Sequence, residues 1–272
     1  MSAPTRGYMH AETPFQIELE RLRFLETRYD GVTRGRLRVA QPFEGLRCLE
    51  VGAGAGSVAR MLAESVGPTG HVVALDLDPR FLGDLTLPNV TVRQHNIVTD
   101  ELEQSEYDLV HCRALLLHLA DPMTALDRMV AALRPGGLLL VEDTDFSSLA
   151  AVAGHASSAE FNRLIRLCRE GDLDGRAFDP RLGGELPGLL AGLGLVERGD
   201  EALRLERTGG SPEAEVMAIA LEAVDGAALS LGLPAGTDLA PMIAAFRDPT
   251  FCYVDSLNVG AWGRRPMPGY LG

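Results

Sequence analysis

Lysine is absent from this chain of 272 residues, since all 25 of its Lys and Arg residues are arginine. Without lysine the protein cannot form a Schiff base with a carbonyl substrate. It also cannot hold nucleotide phosphates with a loop that ends in Gly-Lys-Ser or Gly-Lys-Thr. Two large groups of enzymes are therefore excluded before any motif is considered.

Positive charge is scarce as a whole. The chain carries 38 Asp and Glu residues against the 25 arginines, which gives a net charge of -13. Nucleic acids and anionic membrane surfaces bind to clustered cations. We therefore expect neither nucleic acid nor a membrane as a partner.

Cysteine and long apolar runs are also scarce. No run approaches the roughly eighteen apolar residues of a membrane-spanning helix, and the N-terminal segment lacks the apolar core of a signal sequence. The cysteines form no Cys-x-x-Cys pair, so we expect reduced, buried thiols, no metal site and a cytoplasmic location. They are Cys48, Cys112, Cys168 and Cys252.

Short apolar runs alternate with helical stretches from residue 46 onward, as in a parallel sheet with helices on both faces. We predict a domain over residues 46–272 with helical lid insertions at about 147–180 and 211–248, preceded by an N-terminal helical cap over 1–45. The predicted strands are 47–51, 71–75, 90–94, 107–112, 138–142, 203–208 and 251–262, and the clearest helices are 57–66 and 122–133.

The N-terminal helix has an unusual density of arginine. These side chains fall among acids on a helical pattern, which is typical of a solvated helix face. We expect such a face to include Arg21, Arg28, Arg34, Arg36 and Arg38.

Three glycines at alternate positions, Gly52, Gly54 and Gly56, connect the first predicted strand to a helix. Glycine lets a backbone turn tightly and approach a ligand closely, and the helix N-terminus offers free amide donors. The spacing differs from the dinucleotide-binding fingerprint, which has its third glycine where this chain has Ser57.

A carboxylate ends the second predicted strand, about twenty residues after the glycines. Asp76 at this position would lie beside the first strand and could accept both hydroxyls of a ribose, which indicates an adenosine-type ligand. Asp78 is the alternative, although the proline that follows it favours a turn or helix cap there.

Five motifs in this order resemble those of the class I S-adenosylmethionine-dependent methyltransferases. They are residues 50–56 (EVGAGAG), 75–79 (LDLDP), 94–97 (QHNI), 107–113 (YDLVHCR) and 133–137 (LRPGG). The resemblance implies an α/β, Rossmann-like seven-stranded sheet with a reversed last strand at residues 251–262. Residues 260–266 (GAWGRRP) and the lid-like insertions are similar to bacterial methyltransferases of specialised, or secondary, metabolism.

The resemblance also implies S-adenosylmethionine as the cofactor and suggests which residues hold it. For Arg113 an ion pair with Asp108 or Asp121 is an alternative to a role at the cofactor. The implied contacts are Gly52, Ala53, Gly54 and Gly56 at the methionine part, Asp76 at the ribose, Leu77, Asn96 and Ile97 at the adenine, and His111, Cys112 and Arg113 near the methionine ammonium.

The sulfonium cofactor is already activated, so the protein need only hold an acceptor atom in line with the methyl carbon and exclude water. An apolar lid suits a small apolar or aromatic metabolite, methylated on O, N or C. If a base assists, the leading candidates are His118 and Asp145, although the apolar surroundings of His118 are also typical of a structural histidine. Further carboxyl-edge candidates are His111, Glu142 and Asp143.

Other functions share parts of this pattern. A nicotinamide-dependent oxidoreductase would use the same turn and acid, but the glycine spacing and the absence of a Tyr-x-x-x-Lys pair disfavour it. A scaffold or cyclase that binds the cofactor without methylating is also consistent with the motifs. The apolar residues of the insertions could simply cover the sheet or form a homodimer interface.

Overall fold

A computed structural model of the chain describes residues 14–170, 179–223, 233–234 and 236–269. Residues 1–13 of the predicted cap therefore lie outside the described part, as do residues 171–178, 224–232 and 235 of the predicted insertions. Residues 270–272 lie outside it as well.

The described residues form seven α-helices and ten β-strands, and no helix among them is long and apolar enough to cross a membrane. The helices are α1 (Phe15–Arg36), α2 (Ser57–Val66), α3 (Pro122–Ala132), α4 (Ser158–Glu170), α5 (Leu182–Ala191), α6 (Pro212–Ala223) and α7 (Ala240–Arg247). The strands are β1 (Arg47–Val51), β2 (His71–Asp76), β3 (Val90–Gln94), β4 (Tyr107–Arg113), β5 (Leu133–Asp145), β6 (Ala150–Ala151), β7 (Val196–Leu203), β8 (Glu206–Thr208), β9 (Cys252–Val254) and β10 (Leu257–Arg264).

Seven strands make one sheet in the order β3-β2-β1-β4-β5-β10-β7. Neighbours from β3 to β5 pair in parallel, whereas β10 is antiparallel to both β5 and β7. This arrangement confirms the predicted Rossmann-like fold with a reversed last strand. Because β1 to β5 are parallel, their carboxyl ends meet at one edge of the sheet.

The C-terminal strand predictions need correction. The predicted strand 203–208 corresponds to the shorter β8, which begins at Glu206, while β7 over Val196–Leu203 was not predicted. The predicted strand 251–262 divides, since Asp255 and Ser256 separate β9 from β10. In addition, β5 begins at Leu133 rather than at residue 138, with an irregularity in its pairing to β4.

Alternate side chains of the sheet pack into two separate cores, as the pleat of a strand requires. Leu49 and Val51 of β1 face the core formed with α3 and α5. Cys48 faces the core formed with α2 and the short helical turn over Leu37–Ala40. The side chains on the α2 side also meet the C-terminal end of α1, which is important for the site below.

A smaller sheet, in the order β6-β9-β8, packs with α4, α6 and α7 around a third core. Phe161 and Phe246 lie edge to face there, with ring centroids 5.3 Å apart. Leu164 and Met242 are buried in the same core. These residues, expected in a lid over the methyl acceptor, therefore pack mainly against one another.

The four cysteines are all free thiols. Cys48, Cys112 and Cys168 are buried, as expected. Cys252 is exposed at the start of β9, so the prediction that all four are buried is wrong for this residue.

Candidate functional site

The glycine turn between β1 and α2 has a backbone that other residues rarely adopt. Gly52, Gly54 and Gly56 have φ angles of 72°, 55° and 94°, all in the left-handed region that glycine enters without steric cost. The amides of Gly52 and Ala53 donate to the carbonyl of Leu75 over 2.8 Å and 3.0 Å. The turn is thereby fixed at the carboxyl ends of β1 and β2.

Asp76 joins the end of β2 to this turn. Its Oδ2 accepts from the amide of Gly54 over 2.8 Å, and its Oδ1 accepts from the amide of Asp78 over 2.9 Å. Burial raises the pKa of Asp76, although these amides oppose the rise. Each oxygen accepts one backbone amide and keeps further acceptor capacity, which fits the two hydroxyls of a ribose.

Asp78, the alternative ribose ligand, has another role. Its Oδ1 accepts from the amide of Arg80 at the start of a short helical turn, and its carboxylate forms an ion pair of 2.6 Å with the Arg80 guanidinium. This geometry matches the cap that Pro79 predicts.

The residues predicted at the adenine end offer an apolar surface and unpaired donors. Leu77 follows Asp76 and exposes 57% of its surface, so it offers an apolar face. Asn96 Oδ1 accepts from the amide of Val98 over 3.0 Å, which orients the side chain. In the part of the chain that the structure describes, neither the Asn96 side-chain amide nor the Ile97 backbone amide has a partner. Both can donate to the edge of a base.

Helix α1 lies against the glycine turn. A Cβ atom at Gly54 would be 3.3 Å from Leu22 Cδ2. Glu26 Oε1 accepts from the amide of Ser57 over 2.9 Å, and Asp30 Oδ1 accepts from the Ser57 hydroxyl over 2.8 Å. Burial raises the pKa of Glu26. A carboxylate of α1 thus occupies the N-terminus of α2, where the helix dipole favours negative charge.

The C-terminal end of α1 is anchored in the sheet by Arg36, whose side chain is 1% exposed. Its Nη1 donates to Glu142 Oε2 over 2.7 Å and to Asn258 Oδ1 over 2.6 Å, while Nε donates to Glu201 over 3.0 Å. Gly260 makes room for this guanidinium, since a Cβ there would be 2.5 Å from Arg36 Cδ. The expectation that Arg36 belongs to a solvated face is therefore wrong.

His111 is fully buried at the centre of the same network. Its Nδ1 lies 2.6 Å from Glu50 Oε2 and its Nε2 lies 3.0 Å from Glu142 Oε1. Burial opposes protonation, but the two carboxylates outweigh it and raise the pKa of His111 to about 9. A doubly protonated imidazole has no lone pair to accept a proton. His111 is therefore a structural link between β1, β4 and β5 rather than a base.

Arg113 and Cys112 end β4. The predicted ion pair of Arg113 with Asp108 or Asp121 is wrong, because its Nη2 contacts Asp30 of α1 over 3.0 Å. Asp121 instead caps α3, and Asp108 forms an ion pair with Arg134. The Cys112 side chain is buried in the core on the α3 side, so only its backbone could reach a cofactor.

The two candidate bases lie at the carboxyl edge of the sheet. His118 is partly buried at the end of the short helical turn that follows β4. Asp145 ends β5, where its Oδ1 accepts from the amide and the hydroxyl of Ser147 over 2.8 Å and 2.5 Å. Because β4 and β5 are neighbours, both residues belong to the same region.

Buried contacts between distant parts of the chain are the features that the sequence did not reveal. Arg28 of α1 forms an ion pair with Asp255, which lies between β9 and β10, and both side chains are almost fully buried. The prediction of a solvated face is therefore wrong for Arg28 too, and the charged helix pattern gave no sign of this contact, because its partner is 227 residues away. The one signal in the sequence is compositional. The N-terminal helix is rich in arginine while the rest of the chain has an excess of acidic residues, so some of these arginines could be expected to form ion pairs with distant acids.

Comparisons with known proteins give a consistent result. A family model described as a methyltransferase domain matches residues 23–177. A methyltransferase of Strobilurus tenacellus is 31% identical over 199 residues, which cover 70% of this chain and 67% of the relative. A second methyltransferase of that organism is 34% identical over 102 residues, which cover 37% of this chain and only 36% of the relative.

A solved structure shares the fold. It is a phosphoethanolamine N-methyltransferase of Haemonchus contortus in complex with phosphomonomethylethanolamine and S-adenosylhomocysteine. The match has a TM-score of 0.57 and 16% identity, and it covers 96% of this chain and 60% of that one.

Proposed function

The chain belongs to the class I S-adenosylmethionine-dependent methyltransferases, and from this we propose that it methylates a small apolar or aromatic metabolite on oxygen, nitrogen or carbon. The observation that carries the proposal is the hydrogen bond between the Asp76 carboxylate and the amide of Gly54, which places this acid beside the left-handed glycine turn. No observation favours a nicotinamide cofactor.

The cofactor, when bound, supplies a methyl group that its sulfonium has already activated. We assign the backbone of Gly52, Ala53 and Gly54 to its methionine part, with Gly56 supporting the turn. Asp76 accepts the ribose hydroxyls and Leu77 packs on the adenine. The adenine edge is assigned to Asn96 and Ile97, and the methionine ammonium to the backbone at Cys112 and Arg113.

The other task of the protein is to orient the methyl acceptor and exclude water. Helix α1 serves the second purpose, since Leu22 and Glu26 cover the glycine turn. If the acceptor atom carries a proton, we assign its removal to His118 or Asp145, which lie at the carboxyl ends of adjacent strands.

Several finer assignments belong to the same proposal. We place the protein in the cytoplasm and its reaction in secondary metabolism, with a homodimer as the protein assembly to test. The net charge of -13 supports a small-molecule substrate over a nucleic acid.

Calorimetry tests the cofactor. We expect S-adenosylmethionine and S-adenosylhomocysteine to bind and NADH not to bind. Asp76→Ala should weaken both sulfur ligands by more than about tenfold, because a hydrogen bond to a charged group contributes about 1.5 kcal/mol or more. The matched control is Asp78→Ala, which removes a carboxylate that caps a turn and should leave affinity nearly unchanged.

Two results would contradict this assignment. Binding of NADH without either sulfur ligand would remove the methyltransferase proposal. A loss of affinity in Asp78→Ala but not in Asp76→Ala would mean that the ribose ligand is misassigned. Thermal melting of both variants separates such effects from unfolding.

A further inference from the structure

Three polar groups buried between α1 and β9 have no hydrogen-bond partner in the described part of the chain. They are Nε and Nη1 of Arg28 and the hydroxyl of Tyr253. The Arg28 side chain is 4% exposed, and Tyr253 is fully buried. Such groups are rare in native proteins, because each has given up its hydrogen bonds to water without a replacement.

The charges around these groups are unevenly matched. Asp255 Oδ2 accepts from Nη2 of Arg28 and, over 3.3 Å, from Nε of Arg207. One buried carboxylate therefore faces two guanidinium groups. The other partner of Arg207 is Glu213, at 3.1 Å, whose side chain is 31% exposed and partly screened by solvent. In the buried centre of the cluster, the two positive charges of Arg28 and Arg207 therefore face the single negative charge of Asp255.

The ring of Tyr253 packs among aromatic side chains, and its hydroxyl can donate a hydrogen bond. The ring packs against Phe246 and Phe251 with centroid distances of 5.3 Å and 5.8 Å. Burial, followed by the charge of Asp255, raises the pKa of Tyr253, so the hydroxyl keeps its proton. Together with the unpaired Nε and Nη1 of Arg28, which carry three N–H groups, it presents mainly donors, and these suit a ligand rich in acceptor oxygens.

Helix α1 and strand β10 connect the cluster to the proposed site of methyl transfer. Arg28 stands on α1 between Glu26 and Asp30, both of which bond to Ser57 at the end of the glycine turn. An α-helix with its side chains is about 10–12 Å wide, so roughly one helix diameter separates Arg28 from that turn. On its other side, Asp255 leads into β10, whose Leu257 pairs with Asp145 at the carboxyl end of β5.

We propose that Arg28 and Tyr253 form a subsite that binds a carboxylate of the methyl-accepting metabolite. This inference rests on the proposed function, because it takes the ligand to be the methyl acceptor. It narrows that function to small apolar or aromatic acids. The carboxylate would accept from the Tyr253 hydroxyl and from one unpaired N–H edge of Arg28, and it would supply the negative group that Arg28 and Arg207 lack.

Binding of benzoate and cinnamate tests the subsite, with benzamide and cinnamamide as uncharged counterparts. Affinities are measured by calorimetry with S-adenosylhomocysteine at saturation. We expect at least one acid to bind at least tenfold more tightly than its amide. Tyr253→Phe and Arg28→Lys should each weaken that acid at least tenfold, while affinity for S-adenosylhomocysteine stays the same.

Tyr253→Phe keeps the test independent of folding, because it removes only a hydroxyl without a partner and should leave the thermal midpoint unchanged or higher. The matched control for Arg28→Lys is Arg166→Lys. Arg166 is an exposed arginine on α4 that lines a cleft of about 370 Å³ with Ser147 and Leu149. Acid binding should not change in this control.

Three results would overturn the subsite. They are failure of both acids to bind the wild-type protein, loss of acid binding in Arg166→Lys rather than in the subsite variants, and unchanged acid affinity in Tyr253→Phe. Binding of S-adenosylhomocysteine in the same experiment leaves the methyltransferase proposal standing. Its absence would remove that proposal instead, so the two failures are distinguishable.

Discussion

Asp143 is a carboxyl group enclosed at the end of β5, next to the loop that carries His118. Its Oδ2 accepts from the amide of Leu117 over 3.1 Å, and its Oδ1 accepts from the amide of Thr144 over 3.0 Å. Burial raises its pKa from 3.8 to about 7, although the amides oppose the rise. The folded protein therefore binds this proton more tightly than the unfolded chain does between about pH 4 and pH 7.

Stability should fall as the pH rises through that window, because the unfolded state gains charge more readily than the folded state does. We expect Asp143 to lower the free energy of unfolding by about 2–4 kcal/mol between pH 4 and pH 8. Asp143→Asn resembles the protonated form and should remove this decline. Urea denaturation at pH 4.5, 6 and 8 measures it.

Asp121→Asn is the matched control for Asp143→Asn. Asp121 is an exposed cap of α3 whose pKa is lowered, chiefly by its hydrogen bond to Thr124. Its replacement should change stability by less than about 1 kcal/mol, and equally at all three pH values, because asparagine caps a helix about as well as aspartate does. Parallel pH profiles for wild type and Asp143→Asn would show that Asp143 is not the source of the decline.

At the scale of single elements, α1 shows where sequence reasoning succeeds and where it stops. The glycine turn and Asp76 were predictable, because each lies at the end of an apolar strand bounded by turn residues. The contacts of Arg28 and Arg36 were not predictable, since their partners Asp255 and Glu142 lie 227 and 106 residues away. Helical spacing alone does not distinguish an arginine that faces solvent from one that is buried against the sheet.

Some strands were predictable from the sequence and others were not. The bounds of β1 and β3 match their predictions, because continuous or β-branched apolar runs mark them. Edge strand β7 was missed, since its sequence VERGDEAL is largely charged and only partly buried. Charged edges discourage pairing with other chains, but they also hide the strand from hydrophobic pattern analysis.

The docking of α1 onto the sheet can be tested at Gly260. A Cβ atom there would lie 2.5 Å from Arg36 Cδ and 2.6 Å from its Nε, and this guanidinium is too firmly bonded to move aside. We expect Gly260→Ala to lower the free energy of unfolding by about 2–4 kcal/mol, from steric overlap and loss of a buried ion pair. Chemical denaturation measures the change.

Gly31→Ala is the control for Gly260→Ala. Gly31 lies within α1, where an added Cβ would meet nothing within 4 Å. Alanine there should raise stability by about 0.5–1 kcal/mol, because glycine is a poor helix former. Equal effects of the two substitutions would mean that Arg36 does not need the space at Gly260.

At the scale of the whole molecule, one buried network joins α1 to four strands of the large sheet. His111 links Glu50 of β1 to Glu142 of β5, and Arg36 extends the link to Asn258 of β10. The two carboxylates on His111 raise its pKa from 6.5 to about 9, despite the opposing effect of burial. The stability this provides is fully present below pH 6.5 and is lost as the pH rises through 9.

We therefore expect stability to fall by about 3 kcal/mol between pH 6.5 and pH 10, since each pKa unit corresponds to about 1.4 kcal/mol. His111→Gln should be less stable at pH 7 and should lack this decline. The control is His71→Gln. Burial and Arg47 lower the pKa of His71, so this histidine changes the pH dependence of stability only below pH 6.5. A wild-type profile that stays level above pH 7 would contradict the role of His111.

The buried contacts of α1 also affect the order in which the chain can fold during synthesis. Helix α1 leaves the ribosome early, but Asn258, Gly260 and Asp255, to which Arg36 and Arg28 attach, are synthesised more than 220 residues later. At a synthesis rate of about 5–20 residues per second, roughly ten to fifty seconds pass between the synthesis of α1 and that of these contact residues. The contacts of Arg28 with Asp255 and of Arg36 with Asn258 therefore form only after β10 and the residues before it have been made, whereas Glu26 meets its partner Ser57 much earlier.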